Sequence, residues 1–265
     1  MEIRGTFDPP CGMVTLGSRM PNPYYTPGAD RARRVEILFN QVAPRYDRLN
    51  DLQSLGMHRL WKREVIRQAV LLPGCRVLDV CCGTGDLALG MERLGARVVG
   101  LDFSAPMLRI AQSRKQAAIP DRRPWCQELT WVRGDALRLP FVAGSFDGVT
   151  IGYGLRNLGS FEEGLKEFRR VTRPGGRLLI LDFGKPSNRM LRVGYFWYLR
   201  LVVPWFGRLA CGDADAYAYI LESLHHYPDQ EGVHRLLNEA GWGSVRTRGW
   251  LGGVMTLTIA TRTAS

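Results

Sequence analysis

Short apolar runs alternate with stretches of helical spacing through the middle of the chain. Val77 to Val80, Val98 to Leu101, Trp131-Val132, Val149 to Ile151 and Leu178 to Leu181 read as strands. The segments between them have the length of crossover helices, so the pattern predicts an α/β fold with a parallel sheet. Ahead of it, Val35, Leu38, Phe39 and Val42 recur at three and four residues, as do Leu60, Trp61, Val65, Ile66, Ala69 and Val70, which predicts two amphipathic helices. After Pro186, Met190 to Phe206 is strongly aromatic and apolar. Asp213 or Asp215 is placed to cap a helix toward His225, and Asp229 to start another, with Leu236, Leu237 and Ala240 on one face and Gly241 as its stop. Val245 to Trp250 and Val254 to Ala260, around Gly252-Gly253, read as a terminal hairpin.

Residues 1–30 contain four Gly and five Pro with no apolar period, the composition of a flexible leader. The remainder, 31–265, reads as a single domain: N-terminal helices over 31–72, a ligand-binding core over 73–185, a helical insertion over 186–228, and a last helix and hairpin over 229–265. With 45% hydrophobic and 23% charged residues, 265 positions supply one sizeable core, which excludes fibrous and disordered classes. The chain shows neither an eighteen-residue apolar run nor an apolar signal core near Met1, so a cytoplasmic location is expected. The charge is +11, carried by 32 Arg and only four Lys. Because the Arg residues are scattered, a solvated surface is the first reading, with attraction to nucleic acid or an anionic membrane face as the others. The six cysteines have no C-x-x-C pairing and no His at ligand spacing, so they read as reduced thiols and no metal site is expected.

The most informative stretch is Val77-Leu78-Asp79-Val80-Cys81-Cys82-Gly83-Thr84-Gly85-Asp86, a buried-type strand entering a Gly-rich turn that opens a helix. Alone, the turn also fits a dinucleotide fingerprint. Asp79 tips the balance, since a carboxylate would repel a pyrophosphate but favours a cationic ligand. Asp102, at the end of the next apolar run, is placed to accept bonds from ribose hydroxyls, and Gly134-Asp135-Ala136 to read an adenine edge. With Asp147-Gly148-Val149 and Arg173-Pro174-Gly175-Gly176-Arg177, this ordered series resembles the class I S-adenosylmethionine-dependent methyltransferases.

Further motifs narrow the resemblance: Tyr46-Asp47-x-x-Asn50-Asp51, Gly56-x-His58-Arg59-x-Trp61-Lys62, Gly154-Leu155-Arg156-Asn157, and Asp213-Ala214-Asp215-x-Tyr217-x-Tyr219-x-x-Glu222-Ser223 with Pro228-Asp229-Gln230. These resemble the ubiquinone/menaquinone biosynthesis C-methyltransferase family from about Arg33 onward. The resemblance implies a Rossmann-like fold, with a mostly parallel seven-stranded sheet, helices on both faces and a C-terminal antiparallel hairpin. It implies S-adenosylmethionine contacts at Thr84, Asp102, Phe103, Asp135 and Ala136, with Asp79, Gly83 and Gly85 shaping the loop. Gly152 stands where family members commonly have Ser, so a contact there comes from the backbone. Cys81-Cys82 and Gly100-Leu101-Asp102-Phe103-Ser104 look more like the menaquinone-type members, which points to demethylmenaquinol over a ubiquinone-pathway benzoquinol or a phylloquinone-type naphthoquinol.

A quinol ring carbon is a poor nucleophile until a neighbouring hydroxyl ionises. For a phenol of pKa about 10, ionisation at pH 7 costs roughly 4 kcal/mol. Arg156 is the expected oxyanion partner, with Asn157, Tyr46 and Asp47 the other catalytic candidates; Asp51, His225, His226 and a held water are further places for the proton. The aromatic segment after Met190 is either a core-covering helix or an entry for an isoprenoid tail at a membrane surface, helped by Arg189, Arg192, Arg200 and Arg208. A homodimer is left open. Three rivals stand beside this reading. A nucleic-acid methyltransferase lacks a base-binding loop at Gly152-Tyr153-Gly154-Leu155, a dinucleotide oxidoreductase lacks a second Gly-rich half, and a non-catalytic subunit would not need Arg156 or Tyr46.

Overall fold

The structure, a computed structural model, describes residues 31–69, 72–117, 128–202 and 215–263. The leader, Cys11, Cys126, Cys211, Val203 to Phe206 and Asp213 lie outside them. Five strands, β1 (Arg76–Val80), β2 (Arg97–Asp102), β3 (Leu129–Arg133), β4 (Phe146–Gly152) and β5 (Thr172–Phe183), run parallel. The last two, β6 (Trp242–Trp250) and β7 (Met255–Arg262), form the expected hairpin, and β7 inserts antiparallel against β5. The sheet order is β3-β2-β1-β4-β5-β7-β6. The chain therefore reverses its winding at β1, and the carboxyl ends of β1 and β4 border the crevice where such sheets bind ligands.

Alternation along the strands splits the core in two. Val77, Leu179 and Leu181 pack with Trp61 and Val65 of α3 (His58–Ala69) and Leu87, Ala88 and Met91 of α4 (Asp86–Arg93). Leu78, Val80, Ile151 and Ile180 face the other way, toward Leu165 and Phe168 of α6 (Phe161–Val171) and Val233 and Leu237 of α9 (Gln230–Glu239). Full burial of side chains such as Phe168 and Leu165 stabilises by about 1.5–3 kcal/mol each. Caps fix where the helices start. Ser160 accepts the Glu163 N–H ahead of α6, and Asp229 accepts the Gly232 N–H ahead of α9. Gly241, at φ +82°, takes the left-handed conformation that ends α9.

The two helices expected before the sheet are three. Between α1 (Arg31–Val42) and α3 lies α2 (Tyr46–Ser54), entered through a 3-10 turn at Ala43–Arg45. The α2 sequence YDRLNDLQS carries only Tyr46, Leu49 and Leu52 as apolar positions, and polar ties hold it to the core. Beyond β5, α7 (Arg189–Trp197) continues as a π-helical turn over Tyr198–Val202, and α8 spans Asp215–His226. The remaining helix, α5 (Ala105–Ala117), follows β2. No helix among the described residues is long and apolar enough to cross a membrane.

Candidate active site

The Gly-rich turn after β1 is held open by its backbone. Cys81 (φ +54°), Gly83 (φ +54°) and Gly85 (φ +84°) all adopt left-handed conformations. At Gly85 a Cβ would come within 2.6 Å of the Trp131 ring, so both space and φ demand glycine. Gly83 N–H donates to Asp102 Oδ2 (2.8 Å) and Ser104 N–H to Asp102 Oδ1 (2.9 Å). Each carboxylate oxygen keeps further acceptor capacity for a ligand hydroxyl. Burial raises the Asp102 pKa, and the hydrogen bonds from Ser104 and Gly83 partly offset it.

Two cavities open on this turn. One, of about 360 Å³, is lined by Asp102, Phe103, Asp135, Ala136 and Leu158 among others, with α1 contributing Val35 and Glu36. The second, about 30 Å³, is bordered by Tyr46, Gly83, Asp102, Gly152, Tyr153 and Asn157. The first offers a carboxylate for a ribose, an apolar slot beside it, and the exposed Asp135 at its rim, whose Oδ1 accepts the Leu137 N–H at 2.9 Å. At Gly152 a Cβ would press within 3.0 Å of Leu87, so the wall here is bare backbone. These residues suit an adenosyl group with an amino-acid arm.

Asp79 stands one layer back, lining neither cavity. It is 1% exposed and accepts a hydrogen bond from Thr150 Oγ1 at 2.7 Å. Burial pushes its pKa up to about 7, against the pull of Thr150, so a nearby cation would shift it toward the carboxylate. Thr84 and Asp47 meet each other: Thr84 Oγ1 donates to Asp47 Oδ1 at 2.7 Å, and Arg114 bridges to Asp47 Oδ2 (3.3 Å), to the Thr84 carbonyl (3.0 Å) and to Asp86 Oδ1 (2.5 Å). Lys62 Nζ completes the network on Asp86 Oδ2 at 2.6 Å. Burial works against the Asp86 charge, but Lys62 and Arg114 outweigh it and hold the carboxyl at about 2. The network clamps α2 and α3 to the turn. That tie is what sets α2 in place.

A third cavity, about 360 Å³, adjoins the second through Tyr153, which lines both. Trp61, Phe183, Tyr195, Leu199 and Met255 form much of its wall, and among the described residues no Asp, Glu, Lys or Arg side chain lines it. His58 does, with Nδ1 2.9 Å from Ser54 Oγ and Nε2 3.7 Å from Asp51 Oδ1. Burial, then the charge of Lys62, lowers the His58 pKa, which keeps the imidazole neutral at pH 7. Tyr153 follows the carboxyl end of β4 at φ +61°, a strained conformation for an aromatic residue, and its N–H donates to the Leu181 carbonyl at 2.7 Å.

The catalytic candidates fall on different sides of this arrangement. Tyr46 and Asn157 border the small cavity. The Tyr46 pKa is raised by burial, against Lys62 and a hydrogen bond with Asn50, so the phenol keeps its proton. Asn157 Nδ2 donates to the Tyr153 carbonyl at 3.1 Å. Arg156, expected to face the substrate oxygen, lines none of the three cavities. Its guanidinium is 7% exposed and pairs with Asp182 at 2.5 Å, donates to the Tyr153 carbonyl at 2.9 Å, and lies 4.9 Å from the Phe183 ring centre. It thus grips two wall residues from behind. His225 and His226 are exposed at the end of α8, His225 stacked on Phe196. Tyr153 and His58 are not among the site residues expected from the sequence, whereas Tyr195 belongs to the aromatic segment for which an isoprenoid entry is one of the two readings. The position of Tyr153 just past a β-strand carboxyl end was the available signal for it.

Comparison with known proteins agrees with this geometry. The chain is 42% identical to a demethylmenaquinone methyltransferase of Beutenbergia cavernae over 87% of its length and 92% of that protein's. It is 41% identical to that of Lactiplantibacillus plantarum over 80% and 88%. It is 39% identical to a ubiquinone/menaquinone biosynthesis C-methyltransferase of Pseudomonas paraeruginosa over 87% and 90%. Among solved structures, a SAM-dependent methyltransferase from Aquifex aeolicus shares the fold with a TM-score of 0.58 at 17% identity, covering 82% of this chain and 98% of that one. A Haemonchus contortus N-methyltransferase bound to S-adenosylhomocysteine gives 0.56 at 14%, covering 77% and 52%. The family model for ubiE/COQ5 methyltransferases matches residues 28–262, slightly ahead of the Arg33 start expected from the motifs, and the chain belongs to that family.

Proposed function

We propose that the chain methylates a ring carbon of a prenylated quinol with S-adenosylmethionine, demethylmenaquinol being the favoured substrate. The observation that carries this reading is the uncharged, aromatic-lined cavity that meets the small cavity beside the Gly-rich turn at Tyr153. A planar apolar ring suits such a cavity, and a charged or nucleic-acid substrate does not. S-adenosylmethionine supplies an electrophilic methyl group, and Asp102, Phe103, Ala136, Gly83 and Gly152 are the residues that would hold it. Asp79, behind the turn, favours a sulfonium over a neutral thioether because its own charge forms more readily beside a cation.

In the transfer, the new bond joins the ring carbon to the methyl group while the sulfur–methyl bond breaks. The ring then loses the proton from that carbon to solvent, so one proton is released per methyl and no oxidant is needed. Tyr46 and Asn157, at the small cavity, stand where the two reactants meet and orient them. Arg156 acts through Tyr153 and Phe183 as a positioning residue. Head-group choice is checked by comparing kcat/KM for chemically reduced demethylmenaquinone and the matching benzoquinol, with at least a tenfold preference expected for the naphthoquinol. Equal rates would remove the menaquinone preference while leaving the chemistry intact.

A prenyl tail keeps such a substrate in the bilayer, and the surface beside the cavity suits contact with the cytoplasmic face. α7 turns Tyr195 inward but exposes Met190 (85%) and Trp197 (63%), with Arg189, Arg192 and Arg200 alongside. The expected result is co-sedimentation with vesicles containing anionic phospholipid, weakened several-fold by Trp197→Asp. Equal binding by wild type and variant would remove α7 from the contact.

A further inference from the structure

The hydroxyls of Tyr153 and Tyr195 are both buried without a hydrogen-bond partner, and both residues line the apolar cavity. A phenol in that state is less favourable than a phenylalanine, because the hydroxyl has lost water and gained nothing. Tyr153 carries this cost together with its left-handed backbone, and three hydrogen bonds still pin it there, from its own N–H to Leu181 and to its carbonyl from Arg156 and Asn157. Tyr195 is packed among Leu199, Leu224 and Phe183. Burial raises the pKa of both phenols, and Arg156 and Asp182 act on them in opposite directions. Each hydroxyl therefore stays protonated and keeps a hydrogen bond to give.

We propose that Tyr153 and Tyr195 are the hydrogen-bond donors that hold the substrate's ring oxygens and stabilise the phenolate formed as the ring carbon becomes nucleophilic, an assignment that rests on the quinol-methylation reading above. The quinol O–H gives its proton to solvent, and the two neutral donors face the oxyanion this leaves. Its electron pair then moves into the ring as the carbon takes the methyl group. Once the C–H proton is lost the oxygen regains a proton from solvent, so the net release stays one proton per methyl. Neutral donors in a dry site serve this purpose well. They take the place the sequence had suggested for Arg156.

Tyr153→Phe, Tyr195→Phe and the double variant, made in the full chain, test this. Turnover of the reduced quinol is measured from pH 6 to 9, with S-adenosylhomocysteine affinity by calorimetry and thermal midpoints alongside. Each single variant is expected to lower kcat about 10- to 100-fold at pH 7, and the loss shrinks as pH rises and solvent supplies the phenolate. Cofactor-product affinity stays within about twofold and thermal midpoints hold or rise, because an unpartnered hydroxyl has gone. Full activity in all three variants would overturn the proposal while leaving the function intact. A loss that is constant with pH, or that tracks cofactor affinity or the thermal midpoint, would overturn it in favour of a packing role. An inactive wild type would take the functional reading down with it.

Discussion

Replacing Asp102 with Ala raises the dissociation constant for S-adenosylmethionine at least about 100-fold. Two effects add at this one carboxylate. A ribose bound in the cleft loses two bonds to a charged acceptor, each worth roughly 1.5–3 kcal/mol. The Gly83 and Ser104 N–H groups, now bonded at 2.8 and 2.9 Å, lose their acceptor at the same time. The Gly-rich turn then relaxes from the shape that leaves room for the ligand. Asp102→Asn separates the terms, since the amide keeps one acceptor oxygen but sets an NH2 against a backbone donor. Its loss should lie between wild type and Asp102→Ala. Calorimetric titration with S-adenosylmethionine checks both, and an affinity within threefold of wild type for Asp102→Ala would place the ribose elsewhere.

Arg156→Ala lowers the stability of the whole domain by about 3–5 kcal/mol, the usual cost of stranding one member of a buried ion pair. Asp182 is 1% exposed and would keep only the backbone N–H groups of Phe183 (2.9 Å) and Arg156 (3.3 Å). For a domain of this size that corresponds to a thermal midpoint lower by roughly 10 °C. Adding Asp182→Asn removes the stranded charge, so the double variant recovers part of the stability, and the two changes are far from additive. Turnover falls in Arg156→Ala because Tyr153 and Phe183 lose the group that fixes them. A variant with a wild-type midpoint and abolished turnover would instead mean that the guanidinium acts on the substrate directly.

Much of the sheet was legible because buried parallel strands read as apolar runs. Val77 to Val80 fills β1 but for Arg76 at its start, and Val98 to Leu101 sits inside β2 with one residue to spare at each end. At β5 the reading began late. Pairing starts at Thr172, and a register shift between Phe146 and Gly148 on β4 absorbs the Pro174-Gly175-Gly176 segment before the apolar run begins. Helix α2 was harder to read for the opposite reason, since it is short, with three apolar positions among nine, and Asp47 anchors it by accepting hydrogen bonds from Thr84 and Arg114 that no apolar period announces.

The residues that line the cleft were readable as a series because their spacing follows the strand ends that the fold brings together. Asp102, Gly83, Phe103, Ala136 and Gly152 do line the cleft. Thr84 and Asp47 were read as separate contacts, but they lie 37 positions apart in the chain and bond to each other, a pairing that only the tertiary structure creates. The apolar cavity is assembled from α2, α3, the end of β4, the end of β5, α7 with the π-helical turn after it, and the turn before β7. No local pattern could foreshadow it. The same holds for Arg156, whose position after a strand suggested a ligand contact, while its partner Asp182 lies on the neighbouring strand and draws the side chain inward.

The central claim is tested most directly by incubating the purified chain with trideuteromethyl S-adenosylmethionine and chemically reduced demethylmenaquinone, followed by mass spectrometry of the extracted quinone. The account predicts one trideuteromethyl group on a ring carbon, stable to reduction and acid, with an equal amount of S-adenosylhomocysteine. Label on oxygen, or no label while S-adenosylmethionine still binds, would contradict it.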